Sequence, residues 1–298
     1  MVSNRSVLFV LAGFLTQAIA IPRKVVLTND DGWAVAQIRA EFVALREAGF
    51  DVVLSSPAEN ESGTGSSTAA ATRLNITCEF DTCPIGATAE GFEPFDRNVD
   101  AVRFGIQTRA PELLGSKPDF VISGSNIGNN LGPVVLISGT VGAATEAALE
   151  GIPSIAFSGG SGAQISFETL SNASLPSTQS AEIYTSLVVS FTEVLLDNPP
   201  PILNPGISLN VNFASISSTC NSPQEFSFVL TRINPDPSVT DVSVCGTDHL
   251  PAEADAILEG CIATVSVFNA STKADVDAAQ QEAVLKKLTH ILTCLPSS

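Results

Sequence analysis

The segment Lys24-Val25-Val26-Leu27-Thr28-Asn29-Asp30-Asp31-Gly32 decides the architecture. A β-forming run ends in a polar turn. Directly beyond it, Val35, Ile38, Phe42 and Leu45 recur at three- and four-residue intervals, the apolar stripe of a helix. Gly49 stops that helix, and residues 52–55, closed by Pro57, read as a second strand. Strand, helix and strand within about 35 residues make a βαβ unit, which implies parallel strands.

The alternation continues outward. Residues 120–123 read as a short buried strand leading into a glycine-rich loop that runs to Gly132. Residues 142–150 read as a helix, 152–157 as a strand and 181–196 as a helix with Ile183, Leu187, Phe191 and Val194 on one side. Further strands are expected at 207–213, 226–230 and 261–268, and a closing amphipathic helix at 275–292. Two stretches, 72–98 and 159–178, read as surface excursions, the second rich in Ser and Gly. The pattern implies an α/β fold: a Rossmann-like three-layer sandwich, mostly parallel, with helices on both faces. One domain is expected over residues 21–298.

The first twenty residues carry a different signal. Arg5 precedes an apolar run from Val7 to Leu15, and Ala18-Ile19-Ala20 offers a small-residue cleavage site, the marks of a secretory leader. The run is shorter than the about 20 residues a spanning helix needs, and no later stretch reads as an anchor. A secreted chain fits the six cysteines, Cys78, Cys83, Cys220, Cys245, Cys261 and Cys294, an even count that favours disulfides. Cys78 and Cys83 bracket a short segment and are the best local pair. Secretion also fits four N-x-S/T sequons, at Asn60, Asn75, Asn172 and Asn269. The net charge of −17 repels polyphosphate backbones and argues against nucleic acid as a partner.

Three polar clusters fall at or soon after strand ends, where open α/β sheets bind ligands: Asn29-Asp30-Asp31-Gly32, Asn60-Glu61-Ser62-Gly63 and Ser123-Gly124-Ser125-Asn126. Each could be turn chemistry alone; together they mark a site. Two adjacent aspartates at a buried strand end call for a positive partner. A hard cation, Mg²⁺ or Mn²⁺, takes oxygen ligands of the kind that Asp30, Asp31, Ser62 and Asn126 supply. Ser138-Gly139-Thr140, just before a helix, reads either as an anion site or as a simple N-cap. His249 and His290 are the only histidines, and no G-x-S-x-G, Walker or H-E-x-x-H motif occurs, which disfavours histidine phosphatases and serine esterases.

Four words in order, "VVLTNDDG" at 25–32, "SSPAENESGTGSS" at 55–67, "PDFVISGSNIGNNLG" at 118–132 and "ISGTVGAATEA" at 137–147, resemble the stationary-phase survival proteins (SurE-like), metal-dependent phosphatases and nucleotidases. The chain looks like a secreted, fungal-type member. The resemblance implies that Asp30, Asp31, Ser62 and Asn126 hold one divalent cation, and that Asn126, Asn130, Ser138, Gly139 and Thr140 lie at the phosphate. It implies hydrolysis of a small phosphomonoester by in-line attack of water, with Asp30, Asp31 and Asn130 catalytic and Asp30 the general base. A homodimer is compatible with it, although the C-terminal part lacks a clear match to the family's exchanged arm.

Two positions depart from the family's pattern. Trp33-Ala34-Val35-Ala36 follows Asp-Asp-Gly where a Pro- and Gly-containing segment is usual, and Glu61 stands where a basic residue is common. Both favour a broad-range phosphatase. The sequon at Asn60 includes Ser62, so Asn60 is expected to be unmodified. Two alternatives belong to other classes: a non-catalytic secreted anion-binding protein, and a glycoside hydrolase, for which adjacent carboxylates are a poor match.

Overall fold

The computed structural model describes residues 23–69, 76–85 and 98–296. Its strands are β1 (Lys24–Thr28), β2 (Asp51–Leu54), β3 (Phe120–Ile127), β4 (Ser154–Gly159), β5 (Ile207–Phe213), β6 (Ser227–Thr231) and β7 (Ile262–Asn269). Its helices are α1 (Ala36–Glu47), α2 (Asn98–Phe104), α3 (Ala110–Leu114), α4 (Gly139–Leu149), α5 (Pro176–Leu196), α6 (Glu253–Ala256) and α7 (Ala278–Leu288). The strands form one sheet in the order β2-β1-β3-β4-β5-β7-β6. Every neighbouring pair is parallel except β5 with β7. The expected leader and the sequon at Asn75 lie outside the described residues.

Both faces of the sheet are covered, so its strands read as unbroken apolar runs. Val25 and Leu27 join the core with α1, α5 and α7, through Ile38, Leu45, Phe191 and Leu288. Val26, between them, faces the opposite way and packs with Val102 of α2 and Ala143 and Ala147 of α4. That alternation is the strand's period of two. The centre of the larger core is aromatic. Phe213 stacks on Phe157 and on Tyr184, with ring centroids 5.7 and 5.3 Å apart, and Phe191 meets Phe157 edge-on. Among the described residues no helix is long and apolar enough to cross a membrane.

The mostly parallel sandwich agrees with the sequence pattern, and the differences have local causes. Helices α2 and α3, joined through a π-turn at Gly105–Arg109, occupy a stretch that no expected element covered. Strand β3 continues past Ser123 to Ile127 because Gly124 adopts φ +110° and lies too close to the Phe157 carbonyl for any Cβ. Helix α4 begins at Gly139, three residues before its expected start, because Ser138 caps it by accepting a bond from the Val141 N–H. Helix α5 begins at Pro176, where proline costs no hydrogen bond. The expected Cys78–Cys83 bridge is present, with Cys220–Cys261 and Cys245–Cys294 completing the set.

Glu41 and Glu253 are fully buried in this frame without an ion-pair partner among the described residues. Glu41 of α1 accepts bonds from the Ser125 N–H (2.8 Å) and hydroxyl (2.5 Å). Glu253 of α6 accepts from neutral donors only. Burial outweighs those bonds and lifts each carboxyl from 4.5 to about 7. The folded chain therefore holds more protons than the unfolded chain between those values. The stability this confers is complete below about pH 4.5 and lost as pH rises through about 7. In a chelating buffer, calorimetry is expected to show Tm falling on the order of 5 °C between pH 5 and pH 8. Glu41→Gln should flatten that slope. A Tm that rises with pH over this interval contradicts the assignment.

Candidate active site

The chain leaves β1 for β2 on one side and returns to the other side of β1 at β3. In an open α/β sheet that reversal leaves a crevice beyond the strand carboxyl ends. The three polar clusters meet there. The Glu61 N–H, in the loop after β2, donates to the Asp30 carbonyl at 2.7 Å. The Ile127 N–H, next to Asn126 at the end of β3, donates to Asp31 Oδ2 at 2.8 Å. The Asn29 N–H donates to Ser56 Oγ at 3.1 Å.

Asp30 and Asp31 are both buried. Thr140 Oγ1 donates to Asp30 Oδ1 at 2.6 Å, and main-chain N–H groups of Gly139 and Thr140 also face this carboxylate. Gln164 Nε2 donates to Asp31 Oδ1 at 2.5 Å. These donors are neutral. Desolvation raises the proton affinity of Asp30, and raises that of Asp31 well above the ordinary carboxylate range, with the charge of Asp30 adding to it. A pair of adjacent buried carboxylates satisfied only by dipoles is the electrostatic condition that a cation relieves.

The approach of α4 to this pair depends on glycine. A Cβ at Gly139 would stand 2.8 Å from Asp30 Oδ2, and one at Gly142 would stand 2.1 Å from the Gly65 carbonyl. Without side chains there, the start of α4 closes on Asp30 and on the loop after β2. The N–H groups that the resemblance assigns to the phosphate are turned toward Asp30 itself. Of the Ser138-Gly139-Thr140 segment, the Thr140 hydroxyl is engaged by Asp30 and the Ser138 oxygen by its capping bond. The Ser138 O–H hydrogen remains available to a ligand.

The other expected ligands are next in sequence to residues bonded to the aspartates, Asn126 to Ile127 and Ser62 to Glu61. Asn126 Nδ2 donates to the Gly128 carbonyl at 2.6 Å, which turns its Oδ1 the other way. Ser62 is exposed, and its N–H donates to Asn60 Oδ1 at 2.8 Å. Asn130 Nδ2 donates to Ser158 Oγ at 2.8 Å, which uses one of its two amide hydrogens. Among the described residues no cluster of three or more His, Cys, Asp or Glu side chains gathers. A cation held here would take two carboxylates and complete its shell from hydroxyl and amide oxygens. Hard divalent ions accept that donor set, and the site fits them.

Several residues at the site carried no sequence signal. Gln164 comes from the Ser- and Gly-rich excursion. Glu79 comes from the loop closed by Cys78 and Cys83, where its carboxylate lies so near Gly32 that a Cβ there would clash. Burial and the charge of Glu59 lift Glu79 to about 7. With Glu61 beside Glu59, the rim of the crevice is acidic, in line with the departure noted at Glu61. Trp33 packs near Phe167, with ring centroids 6.2 Å apart, and the Arg39 guanidinium lies over both rings.

Residues 25–236 match the family model described as Survival protein SurE. An acid phosphatase of Yarrowia lipolytica (strain CLIB 122 / E 150) is 32% identical over 288 residues, covering 82% of this chain and 78% of that protein. A protein of Desulfovibrio desulfuricans named 5'-nucleotidase SurE is 39% identical over 158 residues, covering 51% of this chain and 52% of the other. The match thus spans about half the length of that bacterial relative. The crystal structure of the SurE protein from Aquifex aeolicus superposes with a TM-score of 0.56 at 24% identity, over 88% of this chain and 98% of that one, a likeness of fold. On the extent of the family match, and with the aspartate pair, the polar loops and the α4 start in one crevice, the chain belongs to the SurE family.

Proposed function

We propose that the protein is a secreted, divalent-metal-dependent phosphomonoesterase of the acid phosphatase and 5'-nucleotidase type. Family membership and the printed activities of the relatives support phosphomonoester hydrolysis. The observation that carries the metal dependence is the pair Asp30 and Asp31, buried side by side among neutral donors. Secretion rests on the leader-like residues 1–20, the sequons and the three disulfides.

Asp30, Asp31, Ser62 and Asn126 would hold Mg²⁺ or Mn²⁺, which when bound supplies positive charge against the phosphoryl oxygens and lowers the pKa of water. The protein's own groups do the rest. Asn130 offers its other amide hydrogen, and Ser138 its hydroxyl hydrogen, to non-bridging oxygens. Main-chain N–H groups at the start of α4 are bonded to Asp30, so the helix end acts on those oxygens only through its dipole. Asp30 takes the proton from the attacking water. Gln164 and the Ile127 N–H hold Asp31 in one orientation. The acidic rim of Glu59, Glu61 and Glu79 disfavours leaving groups that carry further phosphates, and a broad range of monoesters follows.

Purified protein without residues 1–20 is expected to release phosphate from p-nitrophenyl phosphate and nucleoside monophosphates with Mg²⁺ or Mn²⁺, and not with EDTA. Asp31→Asn should lower kcat/KM by roughly 10²-fold or more. Well-folded protein that releases no phosphate under any metal would leave an anion-binding protein as the reading. Gly139→Ala, which sets a methyl against Asp30, should cost about tenfold in kcat/KM with the fold retained; unchanged kinetics would mean that the contact of α4 with Asp30 is incidental. Asn60, whose Oδ1 holds the Ser62 N–H, is expected to be free of glycan in active secreted protein. Peptide mapping that finds it fully occupied removes Ser62 from the ligand set.

A further inference from the structure

Asn130 is held by side chains from two strands. Its N–H donates to Asn212 Oδ1 at 2.7 Å. Its carbonyl accepts from Asn210 Nδ2 at 2.9 Å and from Asn212 Nδ2 at 3.3 Å. Its own amide donates to Ser158 Oγ. Asn210 and Asn212 alternate on β5, so both point to the face where the loop after β3 lies.

Behind Asn210 stands Glu253, at the start of α6. Its Oε1 accepts from the Gly132 N–H at 2.9 Å and from Asn210 Nδ2 at 3.2 Å. Its Oε2 accepts from Asn210 Nδ2 at 3.1 Å and from Ser266 Oγ at 2.8 Å. The side chain is fully buried and forms no ion pair among the described residues. A carboxyl placed this way is costly, and an apolar residue would fill the space at less cost.

What the carboxylate supplies is acceptors alone. The amide of Asn210 sits between two acceptors, the Glu253 carboxylate and the Asn130 carbonyl, so its NH₂ must face them both. Its Oδ1 is left buried with no hydrogen-bond partner. An amide held with its oxygen unsatisfied is being oriented by its neighbours at its own expense.

We propose that Glu253 is a positioning residue for Asn130: it fixes the orientation of the Asn210 amide and anchors Gly132, and so holds the Asn130 loop against the substrate phosphate. This rests on the reading that Asn130 contacts the phosphoryl group. A glutamine at 253 has one acceptor oxygen in place of two. Where its NH₂ meets Asn210, the Asn210 amide must turn, and its oxygen then opposes the Asn130 carbonyl.

The test uses Glu253→Gln, Asn210→Ser, Asn130→Ala and the two double variants that pair each of the first two with Asn130→Ala. Burial, with Asp275 adding to it, lifts Glu253 to about 7, so measurements are made at pH 8, where the carboxylate prevails. Hydrogen exchange read by mass spectrometry is expected to quicken across residues 128–134 in Glu253→Gln and in Asn210→Ser, with β1, β3 and β4 unchanged. On p-nitrophenyl phosphate each of these single variants should lose about 10- to 100-fold in kcat/KM. Neither should cause further loss in the Asn130→Ala background, since coupled positions are not additive.

Unchanged exchange in the loop, or losses that multiply fully in the double variants, would overturn the proposal. Asn210→Ser leaves the Glu253 contacts to Gly132 and Ser266 in place, so the exchange arm survives should Glu253→Gln fail to fold. If loop exchange quickens but wild-type protein neither hydrolyses the ester nor binds inorganic phosphate by calorimetry, Glu253 still positions the loop; the phosphatase reading then fails, and the substrate half of this proposal with it.

Discussion

The contact between the start of α4 and the carboxylate of Asp30 sets the geometry of the crevice. It joins a helix terminus rich in unsatisfied N–H groups to an anion that has lost its water. Each relieves the other. The Thr140 hydroxyl bond and the bare Gly139 Cα fix the separation, and the bare Gly142 lets the loop after β2 close over the same helix. Strand β1, helix α4 and that loop therefore cannot shift independently. Asp31 is bound into the arrangement from the other side by β3 and Gln164.

The same closure carries an electrostatic cost. Adjacent carboxylates share a dry site in a chain whose net charge is already −17, and Glu59 and Glu79 add to it at the rim. The long-range field of such a molecule repels an anionic substrate, although salt screens that field beyond about 8 Å in physiological solution. Binding of a phosphomonoester would thus depend on short-range donors and on a cation between the aspartates. Capture by steering, which basic clefts use, has little part in it.

The amino-acid sequence displayed the first half of the molecule well. From β1 to β2, strong periodicities flank a polar turn, so local pattern and global fold agree. The helix at α2 was within reach: Val99, Val102, Ile106 and Ala110 recur at three- and four-residue steps and all are buried. The stretch before it has no such rhythm and hides it. The site divides in the same way. Asp30, Asp31, Ser62 and Asn126 stand out because glycine-punctuated polar words end strands, and because those words resemble a family. Gln164 meets Asp31 across 133 positions, and Glu253 meets Gly132 across 121. No local rule links residues so far apart. Only the folded sheet does.

One consequence of the strand order concerns the ribosome. Strand β7 lies between β5 and β6, yet β6 leaves the exit tunnel first; within the sheet it pairs only with β7, and its Phe228 meets Leu292 and Thr293, which emerge later still. During synthesis β6 must wait, an apolar strand without a partner, until the residues through Asn269 have emerged. The parallel half of the sheet, with both aspartates, can already be assembled by then. Glu253 lies in the connection between β6 and β7, so its grip on Gly132 and Asn210 closes in that same late interval. A nascent chain can thus carry a formed aspartate pair while the loop of Asn130 is still loose, and the crevice matures only as the last strands dock.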